Sequence, residues 1–242
     1  MIRMNLLLLT EKNRISPDTF LVEDERAEHI KNTLHAKEGD FLKAGLLGGG
    51  RGKATLLCVE KKKVIVECSD FSLPPPAASK IIPIISLPRP QSFKKTLHFI
   101  ASSGIKKAYF IHSEGVEKSY WKSSALEEKA IEKELFLGLE QGCDTIMPTL
   151  VFKQSFKHFL AGEEFASLCK DCDKLIAHPY HTAVPCPVSA ENTTILAIGP
   201  ESGYTESEVA SFVEKGFQAV TLGDHILRVE FALAAACGRL MF

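Results

Sequence analysis

Residues 194–240 read TILAIGPESGYTESEVASFVEKGFQAVTLGDHILRVEFALAAACGRL. Two apolar runs in this stretch each end in a turn containing glycine. The first, Ile195–Ile198, is followed by Gly199-Pro200-Glu201-Ser202-Gly203. The second, Phe217–Leu222, is followed by Gly223-Asp224-His225. Each turn leads towards a helical pattern. Glycine lets a backbone adopt positive φ or approach a ligand closely. Open α/β sheets bind their ligands beyond the carboxyl ends of strands. The two turns therefore read as halves of one site.

Working outward, the upstream pattern alternates between strand and helix. Strands are expected at Ile81–Ser86, Ala108–Ile111, Thr149–Phe152 and Lys174–Ala177, and helices over Gln91–Ser103 and from the Ser124/Glu127 capping box to about Leu139. Phe156–Leu168 reads as helical but interrupted at Gly162. Thr205 and Glu208 form a second capping box, on a helix that Gly216 closes. Such alternation argues for a parallel sheet covered on both faces. Residues 1–72 read differently. Asp24 caps one short helix through about His35, and Phe41–Leu47, Ala54–Val59 and Val64–Cys68 are strands joined by tight turns, the pattern of a small barrel. The proline run in Ser72–Ser79 is the linker. The expected domains are thus 1–72, a 73–80 linker and 81–242.

The chain has 242 residues, 45% hydrophobic and 24% charged, with a formal net charge of −1. That is ordinary for a soluble globular protein and gives no global sign of a polyanionic partner. No apolar run approaches a membrane span, and Leu6–Leu9 is too short for a signal-peptide core, so a cytoplasmic protein is expected. Seven scattered cysteines suit a reducing compartment.

Several motifs fall short of the chemistry they suggest. Gly48-Gly49-Gly50-Arg51-Gly52-Lys53 lacks the first glycine of a phosphate loop, where Leu47 stands, and has Ala54 in place of Ser or Thr. It reads as a hairpin turn. Cys169-Lys170-Asp171-Cys172, with His178, His181 and Cys186 downstream, has no second Cys-x-x-Cys, so reduced thiols are expected and no metal. Ser202 is not in Gly-x-Ser-x-Gly, and no Gly-x-Gly-x-x-Gly follows a strand. Taken singly, the glycines and the helix-start glutamates are structural punctuation. Their joint spacing in the C-terminal stretch is what carries information.

That stretch, LAIGPESGYTESEV followed by LGDHILRVEFA, resembles the ribosomal small-subunit uridine-N3 methyltransferases of the SPOUT class. Further similar segments are Ala177-His178-Pro179, Glu140-Gln141-Gly142-Cys143 with Pro148 beyond, Leu87-Pro88, and Val116–Trp121. The resemblance implies a C-terminal α/β domain with a trefoil knot, preceded by a PUA-like RNA-binding β-barrel. It implies S-adenosylmethionine as cofactor, a homodimer, and N3-methyluridine in 16S ribosomal RNA, free or within the small subunit, as product. On that reading Leu196, Ile198, Gly199, Pro200, Glu201, Gly203, His178, Leu222, Gly223, Ile226 and Leu227 hold the cofactor, largely through backbone groups and apolar contact. Arg228 stabilises the uracil anion or positions RNA. Glu230 or Glu201 accepts the N3 proton or orients Arg228. Arg14, Lys31, Lys37, Arg51 and Lys53 are candidate phosphate contacts. Departures from the family pattern are Ser202 for a glycine, Asp224-His225 where an arginine is usual, Phe231 for threonine, and Ala101-Ser102-Ser103-Gly104 for Glu-Leu-Gly. They leave a non-catalytic, RNA- or ribosome-binding relative as the alternative.

Overall fold

The computed structural model describes residues 4–179 and 183–241. It comprises two compact units: Met1–Ala77 with Leu135–Met147, and Ala78–Glu134 with Pro148–Phe242.

The first unit is β-rich. Its strands are β1 (Leu7–Leu9), β2 (Arg14–Ser16), β3 (Thr19–Val22), β4 (Phe41–Leu46), β5 (Arg51–Val59) and β6 (Val64–Glu67), with the helix α1 (Glu25–Asn32) after β3. They form a six-stranded sheet in the order β1-β4-β5-β6-β3-β2, in which only the β1–β4 pair is parallel. Period-two alternation sets its faces: Leu42, Ala44, Ala54, Leu56, Val64 and Val66 are buried, whereas Phe41, Lys43 and Lys53 are exposed. Helix α1 starts where Asp24 accepts the Arg26 N–H at 3.0 Å and buries Ala27 and Ile30 in this core. It ends at Asn32, a turn earlier than its apolar spacing suggests.

The glycine run does form the β4–β5 turn, and the structure supplies a further reason for two of its residues. A Cβ on Gly50 would lie 1.9 Å from the Phe71 carbonyl, and one on Gly52 would lie 1.8 Å from the Asp70 carbonyl. These glycines let the following segment run against β5. There Leu73 exchanges backbone hydrogen bonds with Arg51 at 2.7 and 3.0 Å. The return of Leu135–Met147 to this unit has no counterpart in the alternating sequence pattern. It is fastened by Glu140, which accepts the Leu8 N–H at 3.2 Å and lies 3.6 Å from Arg26.

The second unit is an all-parallel α/β layer. Its strands are β7 (Ile81–Ser86), β8 (Lys107–Ile111), β9 (Thr149–Lys153), β10 (Asp173–Ala177), β11 (Val184–Pro185), β12 (Thr194–Ile198) and β13 (Gln218–Thr221). Its sheet order is β11-β13-β10-β12-β7-β8-β9. The helices are α2 (Pro90–Ser102), α3 (Glu128–Gly142, which runs on into the first unit's segment), α4 (Phe156–Ala161), α5 (Glu163–Leu168), α6 (Glu206–Glu214) and α7 (Val229–Met241). Every residue of β12 is buried, as expected of an interior parallel strand. An aromatic cluster including Tyr109, Phe159, Phe165, Tyr204, Phe212 and Phe217 fills the core. Full burial of one such ring contributes about 1.5–3 kcal/mol.

Gly162 divides α4 from α5 as its position in the sequence suggests. The Thr205/Glu208 capping box opens α6. The first capping box is corrected. Ser124–Leu126 is a separate 3₁₀ turn, Glu127 is extended at ψ 137°, and α3 begins only at Glu128. The hydroxyl that caps is Ser123, which accepts the Ala125 N–H at 3.2 Å.

Candidate active site

From β7 the chain runs to β8 and β9 on one side of the sheet, whereas β12, β10 and β13 lie on the other. Ligands of open α/β sheets bind where strand order reverses in this way. The turns that follow β10, β12 and β13, three neighbouring strands, line one cleft. It includes Ala177–Pro179, Ile198–Tyr204 and Thr221–Gly223, with His225, Ile226 and Leu227 beyond.

The first glycine turn is fixed by local bonds. Gly203 N–H donates to the Pro200 carbonyl at 2.8 Å, and Tyr204, buried, donates its hydroxyl to the Ile198 carbonyl at 3.0 Å. Burial raises the Tyr204 phenol above its ordinary range, so it stays protonated. Gly203 supplies the left-handed residue of the turn at φ +79°. Ser202, the departure from the family pattern, has no such φ, and its hydroxyl points at Gly115 instead. The backbone at this position therefore accepts a serine without strain.

Glu208 ties this turn to the loop after β8. Its buried carboxylate accepts the Thr205 N–H at 3.0 Å and the Glu114 N–H at 2.8 Å. In the same loop the Trp121 indole N–H donates to His112 Nδ1 at 2.8 Å. The second turn is held by Thr221, whose hydroxyl donates to the Gly223 carbonyl at 3.0 Å. Gly223 sits at φ +120° with nothing within 4 Å of the place a Cβ would occupy. The turn after β10 joins them through His178 N–H, which donates to the Val220 carbonyl at 2.9 Å. Burial lowers the His178 pKa below its ordinary 6.5, so the imidazole is neutral at pH 7.

The cleft combines apolar surface with unspent main-chain polarity. Ile226 and Leu227 are 80% and 39% exposed beside buried Ile198 and Val220. The main-chain groups of Leu222, Ile226 and Leu227 make no hydrogen bond to another described residue. Backbone donors and acceptors of this kind normally find partners, and apolar pockets with a few such groups suit small-molecule ligands.

Of the residues assigned to the cofactor from sequence, His178, Ile198, Gly199, Pro200, Glu201, Gly203, Leu222, Gly223, Ile226 and Leu227 line this cleft. Leu196 does not; it is buried within β12. Glu201 does, and its carboxylate also accepts the Arg89 N–H at 3.0 Å, at the start of α2. Arg228 and Glu230 are not among the lining residues. Arg228 is exposed and its guanidinium has no partner among the described residues. Glu230 is buried, with its carboxylate 3.6 Å from Lys95 of α2. Burial raises its pKa, but its own backbone N–H, Ser92 and Lys95 outweigh that, so the net shift is downward and the group is a carboxylate. Tyr204, Val220, Thr221, Val229 and Ala232 also line it. Nothing short of the fold brings these together, although Tyr204 and Thr221 sit beside the glycines that mark the turns.

In the first unit, Arg14 pairs with Glu11 at 2.6 Å, and Arg51 donates to the Pro74 and Cys143 carbonyls. Lys31 is partly exposed, while Lys37 and Lys53 are exposed. Glu140-Gln141-Gly142-Cys143 lies at the Leu8 anchor described above. Among the described residues no three His, Cys, Asp or Glu side chains are arranged to hold a metal ion, and no helix is long and apolar enough to cross a membrane. His181 lies outside the described residues.

A parallel α/β unit whose glycine turns open a partly apolar cleft at strand carboxyl ends defines a small-molecule-binding α/β protein. Comparison with known proteins is more specific. The model of the RNA methyltransferase domain family matches residues 75–241, and the chain belongs to that family. It is 29% identical over 237 residues to ribosomal RNA small subunit methyltransferase E of Treponema pallidum, covering 97% of this chain and 89% of that protein. It is 28% identical over 245 residues to ribosomal RNA small subunit methyltransferase E 1 of Borreliella burgdorferi, with coverage of 96% and 95%. In fold it is similar to the crystal structure of ribosomal RNA small subunit methyltransferase E from Neisseria gonorrhoeae bound to S-adenosyl methionine. The TM-score is 0.72 at 23% identity, over 97% of this chain and 95% of that one.

Proposed function

We propose that this protein methylates N3 of a uridine in 16S ribosomal RNA, using S-adenosylmethionine held in the cleft between the two glycine turns. The observation that supports this reading most is the convergence of three adjacent strand-end turns on one cleft with unspent main-chain groups. The fit to the cofactor rests on the same features. Leu222, Ile226 and Leu227 would offer it backbone groups, Ile198 and Leu227 would give apolar contact, and Gly203 and Gly223 leave room where side chains would stand. When bound, the cofactor supplies a methyl group on a sulfonium, already a strong electrophile. The protein's task is then alignment and management of the uracil N3 proton.

Arg228, exposed beside the cleft and without a partner among the described residues, stabilises the uracil anion or holds the adjoining phosphate. Glu201 is the carboxylate on the cleft wall, so the proton-accepting role falls to it. Glu230 fixes the start of α7 against α2 and thereby orients the Arg228 segment. In the same proposal the first unit is a PUA-like RNA-binding module. The second is a SPOUT domain closed by a trefoil knot, and the protein works as a cytoplasmic homodimer on small-subunit RNA. Calorimetric titration with S-adenosylmethionine, followed by methyl transfer to small subunits that lack the mark, tests the reading. Failure to bind the cofactor at millimolar concentration sinks it. Binding of subunits with no transfer favours the non-catalytic alternative.

A further inference from the structure

The outer face of the β4–β5 hairpin carries an electrostatic conflict. In the antiparallel register Lys43 stands directly opposite Lys53, and Phe41 opposite Thr55. The inner residues Leu42, Ala44, Ala54 and Leu56 are buried, so the lysines and Phe41 share the solvent side. Like charges directly opposite each other destabilise a sheet. Neither lysine is ion-paired among the described residues. Phe41 is 52% exposed, and the Lys53 ammonium lies 3.5 Å from its ring centroid. These three residues line a groove together with Asp70, Ser72 and the 58%-exposed Leu73. The Asp70 carboxylate is engaged by the Ser72 hydroxyl at 2.9 Å.

A pair of facing cations beside a half-exposed aromatic ring is the combination that proteins use for single-stranded nucleic acid. The ring stacks a base and the ammonium groups take phosphates. We propose that this groove binds a single-stranded segment of the RNA substrate, with Phe41 stacking one base and Lys43 and Lys53 contacting the flanking phosphates. The inference rests on the reading of the chain as an enzyme acting on RNA. It adds Phe41 and Lys43 to the contact set and gives Lys53 a defined neighbour. It also accounts for the conflict in the hairpin, since a bound polyanion turns the facing charges from a cost into an attraction.

The test uses the full chain and a fluorescently labelled 12-nucleotide single-stranded RNA, with anisotropy measured across a salt series. Calorimetry with S-adenosylmethionine runs in parallel. Phe41→Ala is expected to weaken RNA binding about tenfold, within the range of losing one base–aromatic stack. The double variant Lys43→Gln/Lys53→Gln is expected to lower the slope of log affinity against log salt by about 1.4, at ~0.7 per phosphate contact. Lys62→Gln, in the β5–β6 turn, should change neither. Lys43→Gln alone should raise the melting temperature while weakening RNA binding, because it relieves the facing charges. All variants should bind cofactor like the parent.

An unchanged affinity in Phe41→Ala, or an unchanged salt slope in the double variant, overturns the proposal. So does unchanged RNA binding accompanied by a shift in oligomeric state, which would make the face a contact between copies. If the parent binds cofactor but not RNA, the groove is refuted and the methyltransferase reading stands. If it binds neither, both fall.

Discussion

Gly115→Ala probes the turn that departs most visibly from the family pattern. A Cβ at Gly115 would lie 2.2 Å from Ser202 Oγ and 2.9 Å from Pro200 Cγ. Gly115 has an ordinary negative-φ backbone, so alanine meets no conformational barrier and the effect is steric alone. The serine hydroxyl can swing to another rotamer, at most about 0.5–1.5 kcal/mol if it ends off a staggered well. The Pro200 ring is stiff and must move by a few tenths of an ångström with the turn that carries it. Together these give about 1–2 kcal/mol, near the lower end of overpacking costs. For a chain of this size that is a fall of about 2–8 °C in melting temperature. Because Pro200 and Ser202 both line the cleft, affinity for S-adenosylmethionine should fall as well. Scanning calorimetry and isothermal titration are to be run on Gly115→Ala, Ser202→Gly and the double variant. The double variant should recover part of the loss, since the serine contact is gone and the proline contact remains. Unchanged melting temperature and affinity in Gly115→Ala would refute the packing described here. No recovery in the double variant would refute the role given to Ser202.

Three other outcomes follow from the same structure. Gly223→Ala forces an L-residue to φ +120°, so it should cost about 1–3 kcal/mol and weaken cofactor binding more than Gly162→Ala; equal affinities in the two variants would argue against a ligand at that turn. His178 has a depressed pKa, so its contribution to stability is complete above pH 6.5 and is lost as pH falls through the lower folded-state value. Denaturant titrations at pH 7.5 and 5.0 should therefore show a smaller acid loss in His178→Gln than in the parent, and an equal loss contradicts the assignment. Burial pushes the Cys169 thiol up to about 11 from an ordinary 9.0, so at pH 8 it should alkylate about a hundredfold more slowly than an unperturbed thiol; fast labelling in the native state would show an activated cysteine instead.

Much of the second unit was legible because its determinants are local. The buried strand Ile81–Ser86, the break at Gly162 and the Thr205/Glu208 box each depend on a few adjacent residues, and each stands where the sequence places it. What escaped depends on partners far along the chain. Glu208 reads as a helix cap but also holds the Glu114 N–H, 94 residues away. Glu201 reads as a site carboxylate but also engages the Arg89 N–H. Gly50 and Gly52 look like punctuation until Phe71 and Asp70 are seen to run against them. The strands of residues 7–22 were missed because they are three or four residues long, too short for periodicity to separate from a loop. Glu230 shows the converse dependence on the fold. Its neighbours in sequence suggest the cleft, whereas the helical turn carries its carboxylate to Lys95.

Methyl transfer to uridine N3 in 16S ribosomal RNA is open to nucleoside-resolved mass spectrometry of that RNA. The comparison is among cells with the protein, cells without it, and cells carrying Arg228→Ala. N3-methyluridine is expected in the first, absent in the second, and absent or strongly reduced in the third although the variant folds normally. The same N3-methyluridine level with and without the protein would contradict it.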